Sequence, residues 1–99
     1  MAAIRFRGSG WSAVVNGKDL TLLVERLRLS ADAWALSHQI EQRIASEGSF
    51  ARELTLTKSE KRALLSCLRM MQSSGKYKLS LTLRRLMEAL DEDLSAYET

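Results

Sequence analysis

Trp11-Ser12-Ala13-Val14-Val15-Asn16-Gly17-Lys18-Asp19-Leu20-Thr21-Leu22-Leu23-Val24-Glu25-Arg26-Leu27 decides the fold, because its first half alternates like a strand and its second half repeats like a helix. At the centre, Asn16-Gly17 is the strongest short hairpin signal a sequence carries. As a two-residue turn it sets Val15 against Lys18, Ala13 against Leu20 and Trp11 against Leu22. Trp11, Ala13, Val15, Leu20 and Leu22 then share one face, with Trp11 largely buried against Leu22 and a helix. A rival reading starts a helix at Asp19, an acceptable N-cap, with Leu20, Leu23, Val24 and Leu27 on one side. Both readings reverse the chain at Asn16-Gly17. Upstream, Ile4 and Phe6 alternate with Arg5 and Arg7 until Gly8-Ser9-Gly10 breaks the run, which offers a further short strand.

Downstream the period changes. Leu29, Ala33, Leu36, Ile40 and Ile44 recur every three or four residues and Gly48 follows, predicting a helix over 30–46 with His38 on its flank and Trp34 at the rim of the core. Phe50 to Leu56 reads as a short extended connector. Thr57-Lys58-Ser59-Glu60 is a capping box, in which threonine and glutamate satisfy each other's backbone donors, so a helix runs over 58–74 and stops near Gly75. Ala63, Leu64, Cys67, Leu68 and Met71 form its buried side, and Lys58, Arg62 and Arg69 lie opposite. In the last segment Tyr77, Leu79, Leu81 and Leu83 alternate, whereas Leu83, Leu86, Leu90, Leu94 and Tyr97 follow a helical seam; the seam predicts a helix over 81–96. The expected fold is therefore α+β: one domain over residues 1–99, with an N-terminal β-hairpin of two or three short strands packed on three amphipathic helices.

Composition agrees with a single core. The chain has 99 residues, of which 45% are apolar and 27% charged, the balance of a globular domain too short for two cores. Arg5 and Arg7 stand where a secretory leader needs an apolar run, and no stretch reaches the roughly 18 apolar residues of a membrane span, so a cytoplasmic protein with no membrane partner is expected. Cys67 and His38 are the only residues of their types. An internal disulfide is thereby excluded, a Cys/His zinc site lacks ligands, and a cysteine or serine nucleophile has no histidine base beside it in sequence. Cys67 reads as a buried thiol among leucines. Gly8-Ser9-Gly10 falls short of a phosphate-binding loop, and Asp91-Glu92-Asp93 lacks the spacing and glycine of a calcium loop. The expectation is a non-catalytic chain with no cofactor and no metal.

Charge is distributed unevenly. Residues 52–85 carry nine basic side chains against two acidic ones, a net of +7, and residues 86–99 carry five acidic side chains and no basic one, a net of −5. In the last helix Arg84 and Arg85 occupy the first turn and Asp91, Glu92 and Asp93 lie toward the end, the reverse of what the helix dipole favours. Something must compensate. Two antiparallel copies would bring the arginines of each against the carboxylates of the other over the seam of Leu83, Leu86, Leu90, Leu94 and Tyr97. A protein-interaction module that forms a homodimer through this helix is the function expected first. The intramolecular alternative packs the acidic end beside the preceding helix and makes the seam core.

The basic block reads first as a solvated face neutralised by the acidic tail, and it also suits an acidic protein partner or nucleic acid, with Lys58, Lys61, Arg62, Arg69, Lys76 and Lys78, joined by Arg84 and Arg85, as contacts. The runs Leu54 to Leu65 and Leu79 to Leu86 resemble the opening of a winged-helix regulator over about a third of the chain. In that pattern the following helix enters the major groove. Here it would carry Asp91-Glu92-Asp93, which phosphate repels, and the family is not assigned.

Overall fold

The computed structural model describes residues 3–47, 52–75 and 78–97. Seven elements follow in the order β1 (Ala3–Gly8), β2 (Trp11–Asn16), α1 (Gly17–Arg28), α2 (Trp34–Glu47), β3 (Arg52–Thr55), α3 (Lys58–Ser73) and α4 (Leu81–Tyr97). The α+β class holds, with four helices in place of three and a three-stranded sheet.

The sheet has the order β2-β1-β3, with β1 antiparallel to β2 and parallel to β3. The hairpin turn is at Ser9-Gly10, not at Asn16-Gly17: Gly8 pairs with Trp11 and Ala3 with Asn16. Gly10 supplies the left-handed residue, with φ 77°. Asn16-Gly17 does reverse the chain, but into a helix. Asn16 is the N-cap in extended conformation and Gly17 takes φ 54°, so the glycine swings the strand directly into α1. The helical period of Leu20, Leu23, Val24 and Leu27 prevails over the hairpin signal, and all four side chains are buried. Residues 19–27 are not a strand facing Trp11, and the register pairing Ala13 with Leu20 does not form.

Alternation sets the two sheet faces. Ile4, Phe6, Val15 and Leu54 point into the core, while Arg5, Arg7, Ser12, Val14, Glu53 and Thr55 are exposed on the other face. Helices α1, α2 and α4 lie against the inner face, and α3 packs on α1 and α4 as the far layer. Arg43 of α2 donates to the Glu53 carbonyl at 2.9 Å, occupying an acceptor of the short edge strand β3. Among the described residues no helix is long and apolar enough to cross a membrane.

The second helix begins four residues later than its periodicity predicts. Leu29 N–H and Ser30 N–H close the end of α1 on Arg26 and Leu27 carbonyls, and Ala33 N–H bonds Ser30, so residues 29–33 form a turn. Leu29 is therefore 77% exposed rather than part of the buried stripe. Trp34 is exposed as well, its ring stacked on His38 at 5.7 Å. The capping box of α3 is formed, with Glu60 N–H on Thr57 Oγ1 at 3.2 Å and Thr57 N–H on Glu60 Oε1 at 2.8 Å. Helix α4 is capped by Ser80, whose Oγ accepts from Leu83 N–H at 3.2 Å and donates to Asp19 Oδ2 at 3.0 Å, tying the starts of α1 and α4 together. Leu83, Leu86, Leu90 and Leu94 then lie in the core.

Thr57→Ala removes one half of the capping box and is expected to destabilise the protein by about 1 kcal/mol. Ser59→Ala, one turn face away and without that bond, should leave the urea midpoint within experimental scatter. Equal midpoints for the two variants would show that the box adds nothing.

Candidate functional site

Two features draw together side chains distant in sequence. The first is ionic and buried. Lys61 projects from the first turn of α3 and Asp93 from the last turns of α4, with side chains 4% and 1% exposed. Lys61 Nζ lies 3.0 Å from Asp93 Oδ2 and 3.2 Å from Oδ1. Oδ2 also accepts from Trp11 Nε1 at 2.6 Å and from Ser9 N–H at 3.0 Å, so the hairpin tip, α3 and α4 meet on one carboxylate. Burial alone raises the Asp93 carboxyl; the two N–H donors and the Lys61 ammonium outweigh it and hold the group below its ordinary value of 3.8. Gly8 makes room for this arrangement. A Cβ there would stand 2.3 Å from Trp11 Nε1 and 2.5 Å from Asp93 Oδ2. Trp11 is half-buried rather than deeply buried, and its main polar commitment is to Asp93, not to Leu22 across a hairpin.

The structure places three of the expected site features inside the fold: Lys61 and Asp93 are buried against each other, and Leu83, Leu86, Leu90 and Leu94 of the α4 seam lie in the protein's own core. Two carboxylates of the reversed dipole pattern are compensated within the chain: Asp93 by Lys61, and Asp91 by Arg69, whose Nη2 lies 2.6 Å from Asp91 Oδ1. Glu92, Arg84 and Arg85 are exposed on α4, and Lys58, Arg62 and Lys78 are exposed before it. Lys76 lies outside the described residues, and of Tyr97 only the backbone at the end of α4 is described. His38 stacks on Trp34, and Glu41 accepts from Arg28.

Sequence reasoning missed the pair although a signal exists. Lys61 precedes Leu68 by seven residues and Asp93 follows Leu86 by seven, about 20° on a helix, so each charge sits within an apolar stripe. A lone lysine and a lone aspartate on two buried stripes are each other's natural partner.

The second feature is a groove of about 350 Å³ between α1 and α3. Ser66, Cys67, Met70, Met71 and Ser74 form the α3 wall, and Arg26, Leu29 and Ser30 the α1 side. It exists because three serines and a cysteine are too small to close the space between the helices. Leu29 and Met70 border it at 77% and 69% exposure, the two most exposed of the large apolar side chains among the described residues. Burial pushes the Cys67 thiol up, and the Arg26 charge opposes this only partly, which leaves it a poor nucleophile. Among the described residues no three His, Cys, Asp or Glu side chains are placed to hold a metal ion. A broader depression between α1 and α2, of about 780 Å³, is crossed by the Arg28–Glu41 ion pair and has mixed charge.

No family model, curated protein or solved structure matches this chain.

Asp93→Ala takes the carboxylate away from a buried ammonium and should cost about 3–5 kcal/mol, whereas Lys61→Met with Asp93→Leu should cost much less than the two single losses added together. A double-mutant cycle by urea denaturation checks this, and additivity would refute the coupling. Because the folded carboxyl is held below its unfolded value, its stabilisation is complete above about pH 4 and is lost as pH falls through the folded value. Acid titration followed by circular dichroism should show that component disappear in Asp93→Asn. A second prediction concerns Gly8→Ala: it should separate the indole from the carboxylate and lower the midpoint by more than Gly10→Ser, where a Cβ meets nothing within 4 Å but φ is 77°.

Proposed function

We propose that the protein is a non-catalytic binding module that takes an apolar segment of a partner protein into the groove between α1 and α3. One observation carries this reading: Leu29 and Met70 stand largely exposed on the borders of a recess whose floor is Cys67 and Met71. Exposed apolar side chains beside a ready recess are what a protein interface leaves uncovered when the partner is absent. Two adjacent methionines favour it further, because an unbranched thioether chain adapts to different apolar surfaces. Self-association through α4 is less favoured, since its leucines serve the core, and a nucleic-acid face is weakened by Lys61 in its ion pair and Arg69 against Asp91.

A photo-crosslinking residue placed at Met70, with another at Arg7 on the open sheet face as control, tests the location in the native host. The expected result is a protein adduct formed at Met70 and not at Arg7. The same partner, purified, should bind the unmodified protein and lose at least tenfold in affinity to Leu29→Ser. Adducts that form equally at both positions, or binding indifferent to Leu29→Ser, would remove the groove from the function.

A further inference from the structure

We infer that the segment received by the α1–α3 groove is an acidic amphipathic helix, one with an apolar stripe and carboxylates on its flanks. This rests on the reading of the groove as a docking site and adds the chemistry of its occupant. The shape of the recess points to a helix. Two helices form its walls, and the ridge of a third settles into such a channel with its i, i+3/i+4 and i+7 side chains. The lined part of α3 runs from Ser66 to Ser74. Eight residues of rise give about 12 Å, roughly two helical turns of a partner. A strand would find no sheet edge there to extend.

Charge selects which helix. Among the described residues Arg26 is the only charged one lining the groove, and its charge acts on the Cys67 thiol at the floor. Ser66 and Met70 form a ridge shared with a shallower cleft on the other flank of α3, and that cleft carries Arg62 and Arg69. The acidic group of the second cleft is Asp91, already engaged by Arg69. With Arg69 balanced by Asp91, a helix seated beside this ridge has Arg26 on one side and Arg62 on the other, and the described linings of the two clefts hold three arginines against one aspartate. A basic helix would be repelled at both flanks, and an acidic one attracted. A second copy of this chain fits less well, because a two-fold axis through the groove would bring Arg26 against its own image.

The test uses two helix-stabilised peptides of about 14 residues with the same Leu/Met apolar stripe, one flanked by glutamates and the other by lysines, titrated against the full chain by fluorescence anisotropy. The acidic peptide should bind at least tenfold tighter than the basic one and weaken as salt rises from 50 to about 300 mM. In Arg62→Glu/Arg69→Glu the order should invert, the basic peptide gaining as the acidic one loses; that gain cannot come from a misfolded variant. Met70→Asp should abolish both. Equal affinities of the two peptides, both lost in Met70→Asp, would overturn the acidic choice while leaving the groove as a docking site. If neither peptide binds, this inference and the reading beneath it fall together. Displacement of the acidic peptide by duplex DNA at low salt would overturn the inference in favour of phosphate recognition by the same arginines.

Discussion

The Asp93 carboxylate joins three separate parts of the chain: it belongs to α4 and accepts from Ser9 and Trp11 at the hairpin tip and from Lys61 at the start of α3. Local rules give each of these elements its shape, but none fixes where they stand relative to one another. A buried charge supplies that constraint because its alternatives are costly. With Lys61 displaced, a carboxylate remains in apolar surroundings, and with the hairpin displaced, it loses two donors. Apolar packing alone tolerates sliding of α3 along α4 by small steps; an ion pair with contacts of 3.0 and 3.2 Å does not. Gly8 belongs to the same constraint, since any side chain there would occupy the space in which indole and carboxylate meet.

The same pair eases the electrostatic problem posed by the C-terminal half of α4. Its arginines precede its carboxylates, against the helix dipole, yet two of the three clustered carboxylates are neutralised by α3, one inside and one at the surface. The intramolecular solution also suits the size of the domain. With only 99 residues, the four leucines of the α4 seam are needed for the core, and a chain that spent them on an interface would have little left to bury. The Arg69–Asp91 bridge is exposed and contributes little to stability; its consequence is to lower the net positive charge of the α3 face.

What was legible in the sequence were the features decided by near neighbours. The capping box at Thr57 to Glu60, the alternation of Ile4 and Phe6, the stripes of α3 and α4, and the chain reversal at Asn16-Gly17 all follow from residues within a turn or two of each other. The direction taken after Gly17 was ambiguous, because a left-handed glycine serves a hairpin and a strand-to-helix junction equally, and only the four-leucine-type stripe of α1 decides between them. The start of α2 was misplaced because Leu29 continues the apolar period by accident while the preceding helix consumes its backbone donors. The parallel pairing of β3 with β1 joins residues nearly fifty positions apart and leaves no local trace. The groove is legible least of all, since it is made by what small side chains at 30, 66, 67 and 74 fail to fill.

Helix α3 links the two features, and its two ends are held differently. Its N-terminal half is fixed by the capping box and by Lys61, both within the first four residues, so its starting point and axial position are set by bonds rather than by fit. Its C-terminal half supplies the groove wall, where Ser66, Cys67 and Ser74 make loose apposition to α1, and its other flank is steadied by Arg69 on Asp91. A wall anchored at one end and braced from behind keeps its position while the space before it stays open. That is the condition under which an exposed methionine beside a recess is held ready for a partner instead of collapsing into the recess, and binding then requires little ordering of the receiving face. In the docking function proposed here the buried ion pair serves recognition without touching the partner, by keeping α3 at the distance from α1 that its small side chains leave unfilled.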